Sequence, residues 1–427
     1  MTMVTNLATQ VERLGNRSWF ALLVALAFLR SPHVLLEGRF WAEEGSIHFA
    51  HASNEGGLAG LTFIDQRAGY LNLVPNVGTW IASLVPLSMA PLITTWIAFG
   101  VLLYLLWITL AWPSDLLATK AARLIAAGLL LFGPAAHPEV WLNTINSQTH
   151  LGIVGIVMLF VRLDDLSSRQ FGASIAGLLV ATLSGLYTVV LSPLFVWRAL
   201  RDRTRRTIIH AAVVTGATAF QGIVVLVSRT SGSLEESKLS IPGPAELLAT
   251  LGGLHISPVF LGRNESAELA ANVIDTSGAW MLAVIITGTL AVIAIGVAVR
   301  ESTIAIVAPL GGAFLLTEVL VQLGAWGVAD ARYAVVPLSI ASLLLAHGVG
   351  VSTSTLSRGI AIGLVAVASI TGIAEYWTEK RIALSCIECP DWDAEVDAWE
   401  ADPTHELQIW PYPPWPFSPW TIDLDQD

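Results

Sequence analysis

The sequence predicts an all-α polytopic membrane protein, and three observations carry the prediction. Of 427 residues, 54% are hydrophobic and only 13% charged, against roughly 25% charged in ordinary globular domains. Mean hydropathy is +0.66. Apolar runs near the length needed to span a bilayer recur along most of the chain.

The first run, around Trp19 to Leu36, follows Arg13 and Arg17 and ends in "SPHVLLEGRFW". It has no small-residue cleavage site and many more runs follow, so it reads as a retained helix. Further segments fall near 72–90, 92–112, 119–136, 146–162, 171–185, 187–199, 207–227, 277–299, 303–323, 333–349 and 358–376. Loop arginines and lysines set the orientation. "WRALRDRTRR", Trp197 to Arg206, holds five arginines and marks a cytoplasmic loop. Arg162 with Arg169, Lys120 with Arg123, Arg300 and Arg358 mark others, and the amino end falls inside with them.

Twelve crossings would return the C-terminus to the cytoplasm, where its acidity does not fit. The segment 72–90, broken by Pro75, Pro86 and Pro91, is the candidate for a run that fails to cross, because irregular backbone at that depth must be covered by protein or line a cavity. About eleven crossings remain, N-in and C-out. A break in "LSGLYTVVLSP" near the outer surface separates 171–185 from 187–199; one long helix kinked at Pro193 is the alternative, and it would invert everything upstream. The chain thus divides into a transmembrane domain, 1–376, and a tail, 377–427. A long first outer loop at 37–71 and a second at 228–276 complete the outer face.

From Glu375 onward there are 13 acidic residues against Lys380 and Arg381, which accounts for the whole net charge of −11. The remainder is nearly neutral, which argues against nucleic-acid binding. The tail also holds six of the sixteen tryptophans, and reads as a short helix around Ala394 to Trp399 followed by a Pro-rich extended strap. Cys386 and Cys389 in "CIEC" read as a local disulfide if the tail is extracytoplasmic. No phosphate-binding loop, zinc-protease motif or nucleophile elbow is present.

Polar side chains collect on the predicted outer side. In "RFWAEEGSIHFAHA", Glu43 and Glu44 diverge by about 100° if helical, and His48 shares a face with Glu44. In "IDQRAGYLNLVPN", Arg67 suits a phosphate through its planar guanidinium, while Tyr70 and Asn72 suit a sugar. In "HPEVWLNTINSQTHL", Glu139, Asn143, Asn146 and His150 follow the spacing of a helix face, with Gln148 beside them. Such a row is costly to leave unpaired in a membrane. Arg332 and Tyr333 begin a helix in "ADARYAVVP". Within the membrane, Glu318 and Gln322 share a face. A solvated surface helix, interhelical hydrogen bonds and aromatic-belt anchoring are the bland readings of these groups.

The arrangement resembles the GT-C superfamily of membrane glycosyltransferases. "FWAEEG" in a long first outer loop is similar to that family's acidic motif, and "GYLNLVPN", "NTINSQTHL" and "ARYAVVP" look like recurring features of its bacterial members. The resemblance spans roughly 17–376. It implies a multi-pass protein of the bacterial plasma membrane that moves a sugar from a polyprenyl-phosphate donor to an envelope glycan or lipid acceptor, with inversion. By that resemblance Glu44 is the general base and Glu43 the runner-up. His48, Arg67, Tyr70, Asn72, Glu139, Asn143, Asn146, Gln148, His150, Arg332 and Tyr333 would line the substrate site. Some members use a divalent cation and others none, so the cofactor stays open. A flippase for lipid-linked glycans and a non-catalytic scaffold are the alternatives.

Overall fold

The computed structural model describes residues 14–65, 68–133, 135–230, 243–275, 278–324, 331–378, 386, 389–411 and 419–424. The architecture is a helical bundle with two small antiparallel strand pairs at one end. Among the described residues, six helical runs are long and apolar enough to cross a membrane: Leu87–Ala111, Arg205–Thr230, Met281–Ala298, Ile304–Gln322, Arg332–Val351 and Thr355–Tyr376. Their outward faces are apolar. Leu282, Ile286, Leu290 and Ile293 recur at helical spacing and are all exposed, a stripe suited to lipid rather than water.

Shorter helices are also present. At about 1.5 Å per residue, the 15-residue helix Asn16–Arg30, with Leu22 and Leu29 exposed on its outer side, reaches about 22 Å against a hydrocarbon layer of roughly 30 Å. Ser147–Met158 is almost wholly enclosed. It comes so close to the chain at Tyr187 that a Cβ on Gly152 would lie 2.6 Å from the Tyr187 Cβ, so only glycine permits the approach.

One end of the bundle is arginine-rich. There Arg198 donates to the Met158 carbonyl at 2.7 Å and to the Val161 carbonyl, and Arg206 donates to the Leu166 carbonyl at 2.7 Å. These guanidinium groups satisfy carbonyls that the end of Ser147–Met158 and the following turn leave unpaired.

The C-terminal residues cover the other end. Cys386 and Cys389 form a disulfide. Asp391 then caps the helix Trp392–Ala401 by accepting the Ala394 N–H at 3.2 Å. The predicted helix is therefore present and slightly longer. The stretch beyond it is not only a strap: Leu407–Ile409 pairs with Trp420–Ile422, in the register Leu407 to Ile422. Leu407, Ile409 and Ile422 share a core with Phe40 and Phe49 of the first loop. A Cβ on Gly45 would collide with the Ile409 and Ile422 side chains. The Ala42 N–H donates to the Trp410 carbonyl at 2.6 Å, and the Trp392 indole donates to the Leu87 carbonyl at 2.9 Å. Tail and first loop thus form one packed unit.

The proline-broken segment turns back on itself. Leu73–Ala82 is helical, but Asn72 pairs with Ser184 and Leu87 meets Trp392, so both ends lie at the capped end. The helix Ser168–Leu183 stops before Gly185, which takes φ +127°. Pro193 lies in the first turn of Ser192–Asp202, where a missing N–H costs nothing. The break is therefore at the glycine, with no proline kink inside a continuous helix.

Candidate functional site

The capped end brings together the first loop, the segment 137–150 and the start of the helix after Arg332. Glu44 opens a π-helix, Glu44–Phe49, and is 0% exposed. Its Oε1 accepts the Thr144 backbone N–H at 2.6 Å and the Thr144 hydroxyl at 2.5 Å, and its Oε2 accepts the Trp41 N–H at 3.2 Å. Burial pushes its carboxyl above the usual carboxylate range, opposed by those hydrogen bonds and by Arg39. The carboxyl expected to be a base is thus enclosed and holds the first loop onto the 141–146 segment. Each of the joined segments has a non-glycine residue in the left-handed region, Ala42 at φ 46° and Leu142 at φ 54°. Such backbone costs on the order of 1–3 kcal/mol and persists where surrounding contacts impose it.

Glu43 is half-buried. Among the described residues its carboxylate has no hydrogen-bond partner, and it lies near enough to Tyr70 for its charge to act on the phenol. The Tyr70 hydroxyl donates to Gln148 Oε1 at 3.3 Å, and burial pushes the phenol up to about 12. Tyr333 also acts on Tyr70 and lies beneath the Arg332 guanidinium, 5.1 Å from its ring centre. Arg332 pairs with Glu139 at 2.5 Å.

The row Glu139, Asn143, Asn146 and His150 is not a helix face. Pro138–Val140 is a single 3-10 turn, and the helix begins only at Ser147. Asn143 and Asn146 instead donate to the Glu139 carbonyl at 2.8 and 3.2 Å, and Asn143 Oδ1 accepts the Asn146 N–H at 2.9 Å. Side-chain amides here replace the missing helical ladder, as short polar side chains do in turns. They build the loop. His150 is half-buried in the first turn of the helix, where Arg30 acts on it.

His48 and Asn72 take internal roles. The Asn76 amide nitrogen donates to the Leu61 and Phe63 carbonyls at 3.2 and 2.7 Å, so its Oδ1 is the acceptor for His48 Nδ1 at 2.8 Å. That fixes the proton on Nδ1 of the neutral ring. Burial pushes His48 down to about 4. The Asn72 amide donates to the Ile145 carbonyl at 3.5 Å, while its Oδ1 is buried and unpartnered. Arg67 lies outside the described residues.

Two participants were not among the sequence candidates. Thr144, the partner of Glu44, stands inside "NTINS" but is hidden by a helical reading of that segment. Arg39, 3% exposed, lies over Trp41 at 4.6 Å and Trp410 at 5.2 Å. It donates one hydrogen bond, to the Trp141 carbonyl at 2.9 Å, and its Nε and Nη1 are unpartnered. Burial pushes the guanidinium down to about 10, against the pull of Glu44 and Glu139. Among the described residues, no group of three His, Cys, Asp or Glu side chains is placed to hold a metal ion. No protein-family model and no curated protein matches the chain.

Proposed function

We propose that this protein is a membrane glycosyltransferase that moves a sugar from a polyprenyl-phosphate donor to a hydroxyl of an envelope glycan or lipid at the capped end, with inversion. The observation that carries the reading is the convergence there of Glu43, a half-buried carboxylate with no hydrogen bond among the described residues, with Tyr70, Gln148, Tyr333 and the Arg332–Glu139 pair. In this reading Glu43 takes the proton of the acceptor hydroxyl. The acceptor oxygen bonds to the anomeric carbon as the bond from that carbon to the phosphate oxygen breaks. The lipid phosphate leaves with its charge stabilised by Arg332 and by Arg67. Glu44 positions Glu43 by fixing the loop to Thr144. A half-buried carboxylate with no hydrogen bond among the described residues meets the need of a base better than one that already accepts three.

The topology that fits is eleven passages, amino end in the cytoplasm and tail outside. It is supported by the clustering of arginines at the end opposite the cap, by the turn-back of 72–90, and by a disulfide suited to an oxidising compartment. The test is sugar transfer by the purified full chain in nanodiscs, offered a panel of polyprenyl-phosphate sugars. Glu43→Gln is expected to lower kcat at least 100-fold. Near-normal transfer by that variant would remove Glu43 from the role. Absence of transfer by the unmodified protein across the panel would remove the reaction.

A further inference from the structure

Beside this site, the Ile304–Gly324 helix carries a second polar group into the bundle. His255 Nδ1 and Glu318 Oε1 are 2.6 Å apart. His255 is 1% exposed, Glu318 5% and Gln322 9%. Four atoms of this group are buried without a partner among the described residues: His255 Nε2, Glu318 Oε2, and both Oε1 and Nε2 of Gln322. An unsatisfied buried polar group costs about 1–3 kcal/mol. His255 also sits in a π-helix, Ala249–Ile256, a wide turn that is frequent at functional sites.

The chemistry of the unmet atoms defines what satisfies them. His255 Nδ1 faces the carboxylate, and its Nε2 donates or accepts according to where the ring carries its proton. Glu318 Oε2 and Gln322 Oε1 are acceptors, and Gln322 Nε2 is a donor. A fully ionised anion brings no hydrogen to the acceptors. A quaternary cation brings none either, and leaves the Gln322 donor unmet. Neighbouring hydroxyls on one ring both donate and accept. Glu318 and Gln322, one helical turn apart, present groups at about 5–6 Å spacing. The group adjoins the site described above, because Glu318, Tyr70, Tyr333 and Arg332 all act on Tyr187.

We infer that His255, Glu318 and Gln322 bind an uncharged polyhydroxyl compound, with hydroxyl hydrogens donated to Glu318 Oε2 and Gln322 Oε1 and a further hydroxyl meeting His255 Nε2. The identity of that polyol as a sugar rests on the glycosyl-transfer reading. The site itself rests on the buried, unmet atoms.

The test is the thermal midpoint of the full chain in phosphatidylcholine nanodiscs. The probes are methyl glycosides of common hexoses and pentoses, inorganic phosphate and tetramethylammonium, together with discs containing glucosyl-diacylglycerol. At least one neutral glycoside, free or as the lipid, is expected to raise the midpoint in a saturable way. Protection by the lipid form alone identifies a lipid headgroup as the polyol. Gln322→Leu is expected to raise the ligand-free midpoint, since an unmet amide is gone, and to weaken the apparent affinity for the glycoside at least tenfold. Glu318→Gln is expected to weaken it likewise, and if that variant fails to fold, Gln322→Leu carries the test alone. Protection by no glycoside, undiminished protection in Gln322→Leu, or protection by phosphate or tetramethylammonium instead would each overturn the inference. Site-dependent protection without sugar transfer would leave this site standing and remove the transferase reading.

Discussion

Glu43 and Glu44 are neighbours with opposite circumstances, and the difference is one of partners. Glu44 receives three hydrogen bonds, while Glu43 receives none among the described residues. Thr144→Val keeps the side-chain shape but removes the hydroxyl donor. It is expected to lower stability by about 1.5–3 kcal/mol, as for a hydrogen bond to a charged group, with Thr144→Ser close to unmodified in a denaturant or thermal melt. A second expectation concerns pH. His48 is held neutral, from an ordinary 6.5 down to about 4, with Asp65 and His51 acting on it in opposite senses. The unfolded chain binds a proton there before the folded one does. Stability therefore falls as pH drops from about 6.5 to about 4, by about 3 kcal/mol. Glu44 has the opposite slope: its raised carboxyl weakens the fold as pH climbs above the ordinary carboxylate range. A melt series with His48→Gln is expected to lack the acid-side loss; an unchanged slope would exclude His48 as its source. The adjacent glutamates and the charged first loop were legible in the sequence. The division of labour was not, because it depends on Thr144, a hundred residues away.

At the scale of elements, the long apolar helices followed directly from the runs of hydrophobic residues. The irregular pieces did not. Residues 137–146 have a polar spacing that a helix would place on one face, yet Pro138 and the left-handed Leu142 break the ladder. The strands Leu407–Ile409 and Trp420–Ile422 are three residues each, too short to show a two-residue alternation. Gly185 is the element-scale position with the sharpest expectation. It has φ +127°, and a Cβ there would strike the Gln148 side chain. Gly185→Ala is expected to cost more than about 1 kcal/mol and to displace Gln148 from Tyr70. A raised reactivity of the Tyr70 phenol toward tetranitromethane would report that displacement; unchanged stability and reactivity would contradict it.

At the scale of the molecule, the tail and the first loop share a core of Phe40, Phe49, Leu407, Ile409 and Ile422. Truncation after Thr378 uncovers that core and withdraws the Trp410 carbonyl from Ala42. The bundle helices are expected to stay protected from proteolysis and hydrogen exchange, while 37–71 becomes susceptible to both. Equal protection of that loop in the truncated chain would show that it holds its shape alone. The membrane class was legible from composition. The acidic, Trp-rich character of the tail was legible too, but its docking was not, because a contact between the two ends of a chain leaves no local pattern.

That pairing has a temporal side. A polypeptide emerges from the ribosome amino end first, and domains generally fold in that order. Here Ala42 is made 368 residues before Trp410, so the loop bearing Glu43 waits for the intervening helices to be synthesised and inserted. Chains released early carry helices but no finished loop. Packing of the first loop is thus tied to synthesis of the segment that carries Trp410.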